Sequence, residues 1–213
     1  MDLVNIVDEI KEKLDEKDRI REKVLVTTRE VVRCCRESIN RLHRKDFVVA
    51  EERLGNAETN VKNLRALLNK HPDIYYSGSI QTANQEFVEA LLFYDYLKKL
   101  EFPSPDDLEI PDIDYLLGLC DLVGELRRHV LLLLMDENSE EAKNTYRFME
   151  GLYEEVMSAE YPRGLINIKQ KQDAMRFVVE RTLEDLTRAK LTKELETKIE
   201  NILGKKEKGA SQK

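Results

Sequence analysis

No proline precedes Pro72. Proline removes a backbone donor and breaks helix interiors, so a segment of this length without one leaves long uninterrupted helices available. The apolar residues use that freedom. They recur at Leu3, Val7, Ile10 and Leu14, then at Val24, Val31, Cys35, Ile39 and Leu42, which is a helical period. This predicts one long helix over 2–44, loosened at 15–19, where the chain is wholly polar. Asp46 is placed to cap a second helix carrying Phe47, Ala50, Leu54, Ala57, Val61, Leu64 and Leu68, which His71-Pro72 ends.

The same reading continues down the chain. A third helix is expected over about 73–100, and the proline-rich segment 101–111 is expected to be a loop. Asp112 is placed to cap a fourth helix over 113–135. Asn138-Ser139 starts a fifth, ending near Tyr161-Pro162, and a sixth covers 166–190. Thr192 caps a short seventh to Leu203. The polar end 204–213 lacks an apolar face and is expected to be disordered. With 8 glycines and 5 prolines against 36% charged and 41% hydrophobic residues, the composition is that of amphipathic helices. The expected fold is all-α: a single helical-bundle domain over 1–203, of about seven helices.

Several function classes drop out. Residues 1–20 alternate charges with Leu and Ile, unlike a secretory signal. The longest apolar run, Val130 to Met135, is too short to cross a bilayer. Cys34, Cys35 and Cys120 form no metal-binding or redox spacing, so a cytoplasmic protein with reduced thiols and no membrane partner is expected. No Ser/His/Asp or Cys/His arrangement offers a nucleophile. The net charge of −7 argues against a general coat for nucleic acid, whose binding is driven by Lys and Arg, but leaves room for a local basic patch.

Four carboxylates sit in apolar surroundings. Glu86 and Glu89 are three apart on the third helix, and Asp121 and Glu125 are four apart on the fourth, so each pair shares a helix face. Carboxylates in such stretches are costly to bury unless paired or bound to a cation. An oxygen-rich set of this kind suits Mg²⁺ or Mn²⁺ and metal-assisted phosphoryl chemistry. The plainer alternative is a solvated acidic surface paired with nearby Arg127 and Arg128, because 42 acidic residues produce such spacings by chance. A di-iron bundle is disfavoured, since it wants Glu-x-x-His and the positions three after Glu86, Glu89 and Glu125 are Glu89, Leu92 and Arg128.

A basic stretch of Arg33, Arg36, Arg41, His43, Arg44, Lys45 and Arg53 closes the first helix and enters the second. It offers phosphate contacts, with His43 able to stack on a base. Glu37, Asp46, Glu51 and Glu52 are interspersed, so an ordinary salt-bridged surface is the competing reading. Arg127 and Arg128 divide in the same way: one to neutralise phosphate, the other to pair with an acid. Tyr75 and Tyr76 are candidates for base stacking or for packing. Gly118 and Gly124, inside a helical pattern, call for close helix approach or room for substrate.

The wording of the acidic segments resembles one family. Gln85-Glu86-Phe87-Val88-Glu89-Ala90, followed by Phe93, is similar to the Gln-Glu-Tyr-Val-Glu-Ala helix of the Trax branch of the translin family. Asp114-Tyr115-Leu116-Leu117-Gly118, with Asp121-Leu122, Gly124-Glu125-Leu126 after it, resembles that branch's second acidic motif. Leu42-His43-Arg44 resembles the end of its first long helix. The resemblance covers most of residues 5–190. It implies a closed, octamer-like homo-oligomeric shell that binds single-stranded RNA or DNA. It also implies a Mg²⁺-dependent endoribonuclease whose catalytic and metal residues map onto Glu86, Glu89, Asp121 and Glu125. Arg41, His43, Arg44, Lys45, Arg53, Arg127 and Arg128 are the candidate nucleic-acid contacts. The alternatives are a non-catalytic shell of the translin type, or an all-α nucleoside triphosphate pyrophosphohydrolase, whose usual second motif Asp121-x-x-x-Glu125 does not match.

Overall fold

The computed structural model describes residues 3–69, 71 and 78–210, with side chains to residue 203. Among the described residues there are seven helices and no strand. In chain order they are α1 (Leu3–His43), α2 (Phe47–Leu68), α3 (Gly78–Lys98), the short α4 (Pro105–Leu108), α5 (Asp112–Met135), α6 (Ser139–Met157) and α7 (Ile168–Ala210). No helix among them is long and apolar enough to cross a membrane.

The chain divides into two compact units, Met1–Leu122 and Val123–Lys213. The division falls inside α5. In the first unit α1 packs along α2 and α3. Its core residues are Ile20, Val24, Val31, Cys35, Ile39 and Leu42 on α1, Leu54, Ala57, Val61 and Leu64 on α2, and Phe87, Val88 and Phe93 on α3. The α1 and α2 sets step by three, four or seven residues, so one face of each of these helices leaves water. The buried Ser38 hydroxyl donates to the Ala50 carbonyl at 2.9 Å, joining α1 to α2. In the second unit α6 packs on α7 through Ala142, Met149 and Val156 against Ile168, Met175 and Val179.

Several expected boundaries are corrected. The stretch 15–19 is not loosened, since α1 runs through it unbroken. The stretch contains no Gly or Pro, and loss of the apolar face removes packing without removing helix propensity. Nothing on α1 before Ile20 is buried. The expected loop 101–111 contains α4, whose Ser104 and Asp107 form a reciprocal capping box with Pro105 in the first turn. The Ser-Pro-Asp-Asp run carried that signal. Asp46 occupies the N-cap position of α2 but makes no side-chain cap; its carboxylate turns instead to Arg41 at 3.3 Å. Asp112 is the first residue of α5 and not its cap. The helix beginning at Ser139 ends at Met157, before the expected Tyr161-Pro162.

The expected sixth and seventh helices are one, α7. Thr192 does not cap a new helix; its hydroxyl donates to the Arg188 carbonyl one turn back within the continuous one. Residues 204–210 are helical where disorder is expected, and 211–213 lie outside the described residues. The expected start of the third helix at 73, with Tyr75 and Tyr76, also lies outside them.

A candidate carboxylate site on helices α3 and α5

The first unit brings α3 and the start of α5 together at a glycine. A Cβ built on Gly118 would lie 2.7 Å from the Gln85 carbonyl oxygen and 2.8 Å from the Val88 Cβ. Only glycine permits this approach, because the nearest obstacle is backbone and cannot rotate away. Four residues before it, buried Asp114 accepts a 2.7 Å hydrogen bond from the Asn84 amide. Burial pushes the Asp114 carboxyl up from its ordinary value, and bonds from Asn84 and Gln81 partly oppose that. The α3 segment gripped in this way, Asn84 to Val88, is the one that carries Glu86. Asp121 follows Gly118 by less than one helical turn. Close approach, one of the two reasons offered for a helical glycine, therefore holds at Gly118. At Gly124 an added Cβ would meet nothing within 4 Å.

Glu86, Glu89 and Asp121 are all half-buried. Glu86 Oε1 accepts from Arg36 Nη2 of α1 at 3.0 Å. This hydrogen bond raises the Arg36 guanidinium above its ordinary value, and the charge of Glu89 adds to it. Cys35, beside Arg36, is fully buried. Burial holds its thiol well up, with the negative charges of Glu86 and Glu89 reinforcing the effect. Both acids of α3 thus lie toward the same stretch of α1, against a thiol that stays protonated and is no thiolate ligand or nucleophile. Cys34, Cys35 and Cys120 are all free and buried. Glu125 stands one turn beyond Asp121 on α5, half-buried, with Arg128 Nη1 at 3.8 Å from its Oε2.

The donor set is all oxygen, from half-buried carboxylates beside a helix crossing, which suits a hard divalent cation. Among the described residues, however, no three His, Cys, Asp or Glu side chains are gathered closely enough to hold a metal ion. Glu86 in particular is directed at Arg36. The candidate set fits the chemistry of such a cation, but its side chains are not closed around one point.

The candidate basic residues separate. Arg41 pairs with Asp46 at 3.3 Å, and Arg53 with Glu37 at 3.2 Å. Arg33 bridges Glu30 and Glu37, extending an exposed ion-pair chain along α1. His43 is half-buried, its ring 4.8 Å from that of Phe93, so it packs against the core. Arg44 and Lys45 are exposed where α1 ends, and Lys45 takes a left-handed conformation with φ 61°. In the second unit Arg127 donates to Thr182 at 3.0 Å and Asp185 at 2.8 Å, tying α5 to α7. Arg128 is exposed. Both arginines pair with an acid, Arg127 with Asp185 at 2.8 Å and the more exposed Arg128 with Glu125 at 3.8 Å. Sequence reasoning placed Arg36 in the basic stretch but not at the carboxylates, because the spacing of α1 against α3 leaves no local signature.

Comparison with known proteins places these observations. The chain matches the translin family over residues 18–187, from the first third of α1 to the middle of α7. It is 35% identical over 175 residues to an uncharacterized protein of Methanocaldococcus jannaschii, covering 81% of this chain and 78% of that one. It is 24% identical over 208 residues to the translin-associated protein X homolog of Schizosaccharomyces pombe, covering 89% and 88%. The crystal structure of AfC3PO superimposes with a TM-score of 0.80 at 31% identity, over 87% of this chain and 97% of that chain. The complex of AfC3PO with duplex RNA gives 0.79 at the same identity and coverage. By the family match over most of its length and by its fold, this chain belongs to the translin family.

Proposed function

We propose that this protein binds RNA and cleaves single-stranded RNA by metal-assisted phosphodiester hydrolysis at Glu86, Glu89, Asp121 and Glu125. The observation that supports the reading is the close α3–α5 approach at Gly118, which lies against Gln85 and Val88 on either side of Glu86 in sequence and three residues before Asp121. Both segments resemble the acidic motifs of the Trax branch, and the relative AfC3PO is known in complex with duplex RNA. Glu86, Glu89, Asp121 and Glu125 are the residues that would hold Mg²⁺ or Mn²⁺, which would supply charge stabilisation at a phosphodiester. One of these carboxylates would accept the proton of the attacking water. Arg44, Lys45 and Arg128, all exposed, contribute phosphate contacts. The ion pairs of Arg41 and Arg53 are surface pairs of small worth, so a phosphate can exchange with their acids.

Self-association belongs to the same reading. Leu3, Val7, Ile10 and Leu14 on α1, and Leu191, Leu195, Ile199 and Ile202 on α7, are large apolar side chains left exposed at helical spacing. We infer that a homo-oligomeric shell, an octamer by family resemblance, covers them and encloses the nucleic acid in a cytoplasmic setting.

The test is a labelled single-stranded RNA incubated with the protein and Mg²⁺, with EDTA, Glu89→Ala and Asp121→Ala as controls and a duplex of the same sequence alongside. Cleavage lost in all three controls is the expected result. Equal cleavage by the variants would sink the site assignment. A second reading, a non-catalytic RNA- or single-stranded DNA-binding shell, is favoured by the Arg36–Glu86 pair and the open carboxylate arrangement. It predicts shifted but intact RNA. Nucleoside triphosphate hydrolysis has less support, because the fold and both motifs follow the translin family.

A further inference from the structure

Helices α1 and α3 end alike. At the end of α1 the Asp46 N–H donates to the Arg41 carbonyl at 3.0 Å, and the Lys45 N–H to the Leu42 carbonyl at 2.9 Å. At the end of α3 the Leu100 N–H donates to the Asp95 carbonyl at 2.9 Å, and the Lys99 N–H to the Tyr96 carbonyl at 3.2 Å. Both are Schellman turns, whose left-handed residue is usually glycine because a Cβ is disfavoured there. Here it is lysine each time, Lys45 at φ 61° and Lys99 at φ 57°. A second exposed cation precedes each, Arg44 or Lys98. The turn itself does not ask for a cation. Helix α5 ends in the same pattern, with the Asn138 N–H on the Leu133 carbonyl and the Glu137 N–H on that of Leu134. Its pair is Asp136-Glu137, with Glu137 at φ 57°. The favourable charge at a helix C-terminus is thus not a condition for this turn in this chain.

The two cationic ends lie together in the first unit. The Lys98 ammonium stands 5.3 Å from the centroid of the Phe47 ring, at the start of α2, and 5.9 Å from that of Tyr94. The Tyr94 hydroxyl donates to Glu51 of α2 at 3.0 Å, which fixes the ring beneath Lys98. Of the acids beside these residues, Asp46 holds Arg41 at 3.3 Å, Glu51 holds Tyr94, and Glu101 is exposed. We propose that Arg44-Lys45 and Lys98-Lys99 form one surface that binds the phosphate backbone of RNA, with Lys98 positioned over Phe47 and Tyr94. This rests on the reading of the protein as one that binds RNA, and adds the α3 pair to it. Four exposed cations on two turns give separated charges suited to a chain of repeated phosphates. A lysine ammonium is a compact point charge without a planar fork, so the surface takes backbone and does not read bases.

The experiment is a titration of the full chain against labelled single-stranded RNA, and against a duplex of the same sequence, by fluorescence anisotropy at several salt concentrations. EDTA is present, so the readout is binding and not cleavage. Lys99→Gly gives the turn its preferred residue and removes one charge. It is expected to keep or raise the thermal midpoint while weakening binding severalfold and lowering the salt slope by about 0.7 for a single strand. Lys98→Gln with Lys99→Gly is expected to lower that slope by about 1.4. Glu137→Gly, the same change in the turn of α5, is expected to move the midpoint alike and leave the slope unchanged. The arm that loses affinity, single strand or duplex, names the form of RNA bound. An unchanged slope in both α3 variants, with RNA bound by the wild type and the slope lowered by Arg44→Ala with Lys45→Ala, overturns this inference alone. A midpoint that falls with the affinity, or assembled mass lost by light scattering, assigns the α3 pair to folding or to contact between copies and also overturns it. A wild-type chain that binds neither RNA overturns the RNA-binding reading together with this inference.

Discussion

Asp95 is a buried carboxylate whose pKa burial alone raises from 3.8 to about 6. It is 6% exposed and lies close enough to Tyr94 and Tyr115 to raise both phenols further. For an acid raised in this way, the stabilising contribution is complete below about 3.8 and is lost as pH rises through about 6. At neutral pH its charge costs stability on the order of 1–2 kcal/mol, allowing for water at the nearby helix end. Asp95→Asn is therefore expected to raise the thermal midpoint at pH 8 and leave it unchanged at pH 4; an equal gain at both values would show that the charge is not the cause. Gly118 poses a steric question instead. Gly118→Ala sets a methyl against the Gln85 carbonyl and Val88, so α3 and α5 must part. The expected cost is about 1–3 kcal/mol in chemical denaturation, with RNA cleavage falling further than stability explains. The same change at Gly124, where nothing stands within 4 Å, should be silent or slightly stabilising.

Helix ends and continuity follow from partners that are sometimes distant. Gln172 of α7 is buried, and its amide donates at 3.0 Å to both the Val156 and Ala159 carbonyls, satisfying the C-terminal end of α6. Gln172→Ala leaves those carbonyls to water or to nothing and is expected to cost about 1–3 kcal/mol. Hydrogen exchange should show the added opening in the last turn of α6 and the start of α7; uniform loss of protection across the chain would count against a local cap. Arg65 does comparable work in the first unit, donating to the Leu108 carbonyl at 3.0 Å and so holding the α4 turn. The two longest helices, of 41 and 43 residues, carry most of their exposed large apolar positions toward the ends of the chain, with Val26, Phe177 and Leu183 further in. Their continuity comes from helix-forming residues throughout, even where no core lies beneath them.

A chain of net charge −7 that binds RNA must do so through local basic surface. Changing Arg44 and Lys45 together to Ala is expected to weaken RNA binding and to lower its salt slope by about two phosphate contacts, measured by fluorescence anisotropy at several salt concentrations. An unchanged slope would place the phosphate contacts elsewhere. Removing residues 191–213 deletes the exposed Leu191, Leu195, Ile199 and Ile202, and none of the described side chains it removes, 191–203, is buried. The truncated chain should keep its thermal midpoint as a protomer and lose mass by light scattering. Retained mass would assign assembly to other surfaces.

The amino-acid sequence by itself determined the helical class, the faces of α1, α2 and α3 that enter the core, and the identity of the acidic motifs. These depend on residues three or four apart, and helical repeat is a local property that a sequence displays directly. It also carried the capping box at Ser104–Asp107, which the density of prolines obscured. Its count of seven helices agrees with the structure while the elements differ: α4 was absent from the reading, and α7 was divided at a threonine whose hydroxyl merely bonds one turn back. Tertiary structure alone decided that α5 serves two units, that Arg127 is committed to Asp185 and that His43 faces Phe93. It alone set Arg36 on Glu86. Each of these pairs joins residues tens of positions apart, and no local spacing encodes which helix will lie beside which. Gly118 stands between the two: its place in a helix signalled a close approach, and only the packed chain showed that Gln85 and Val88 are what it meets.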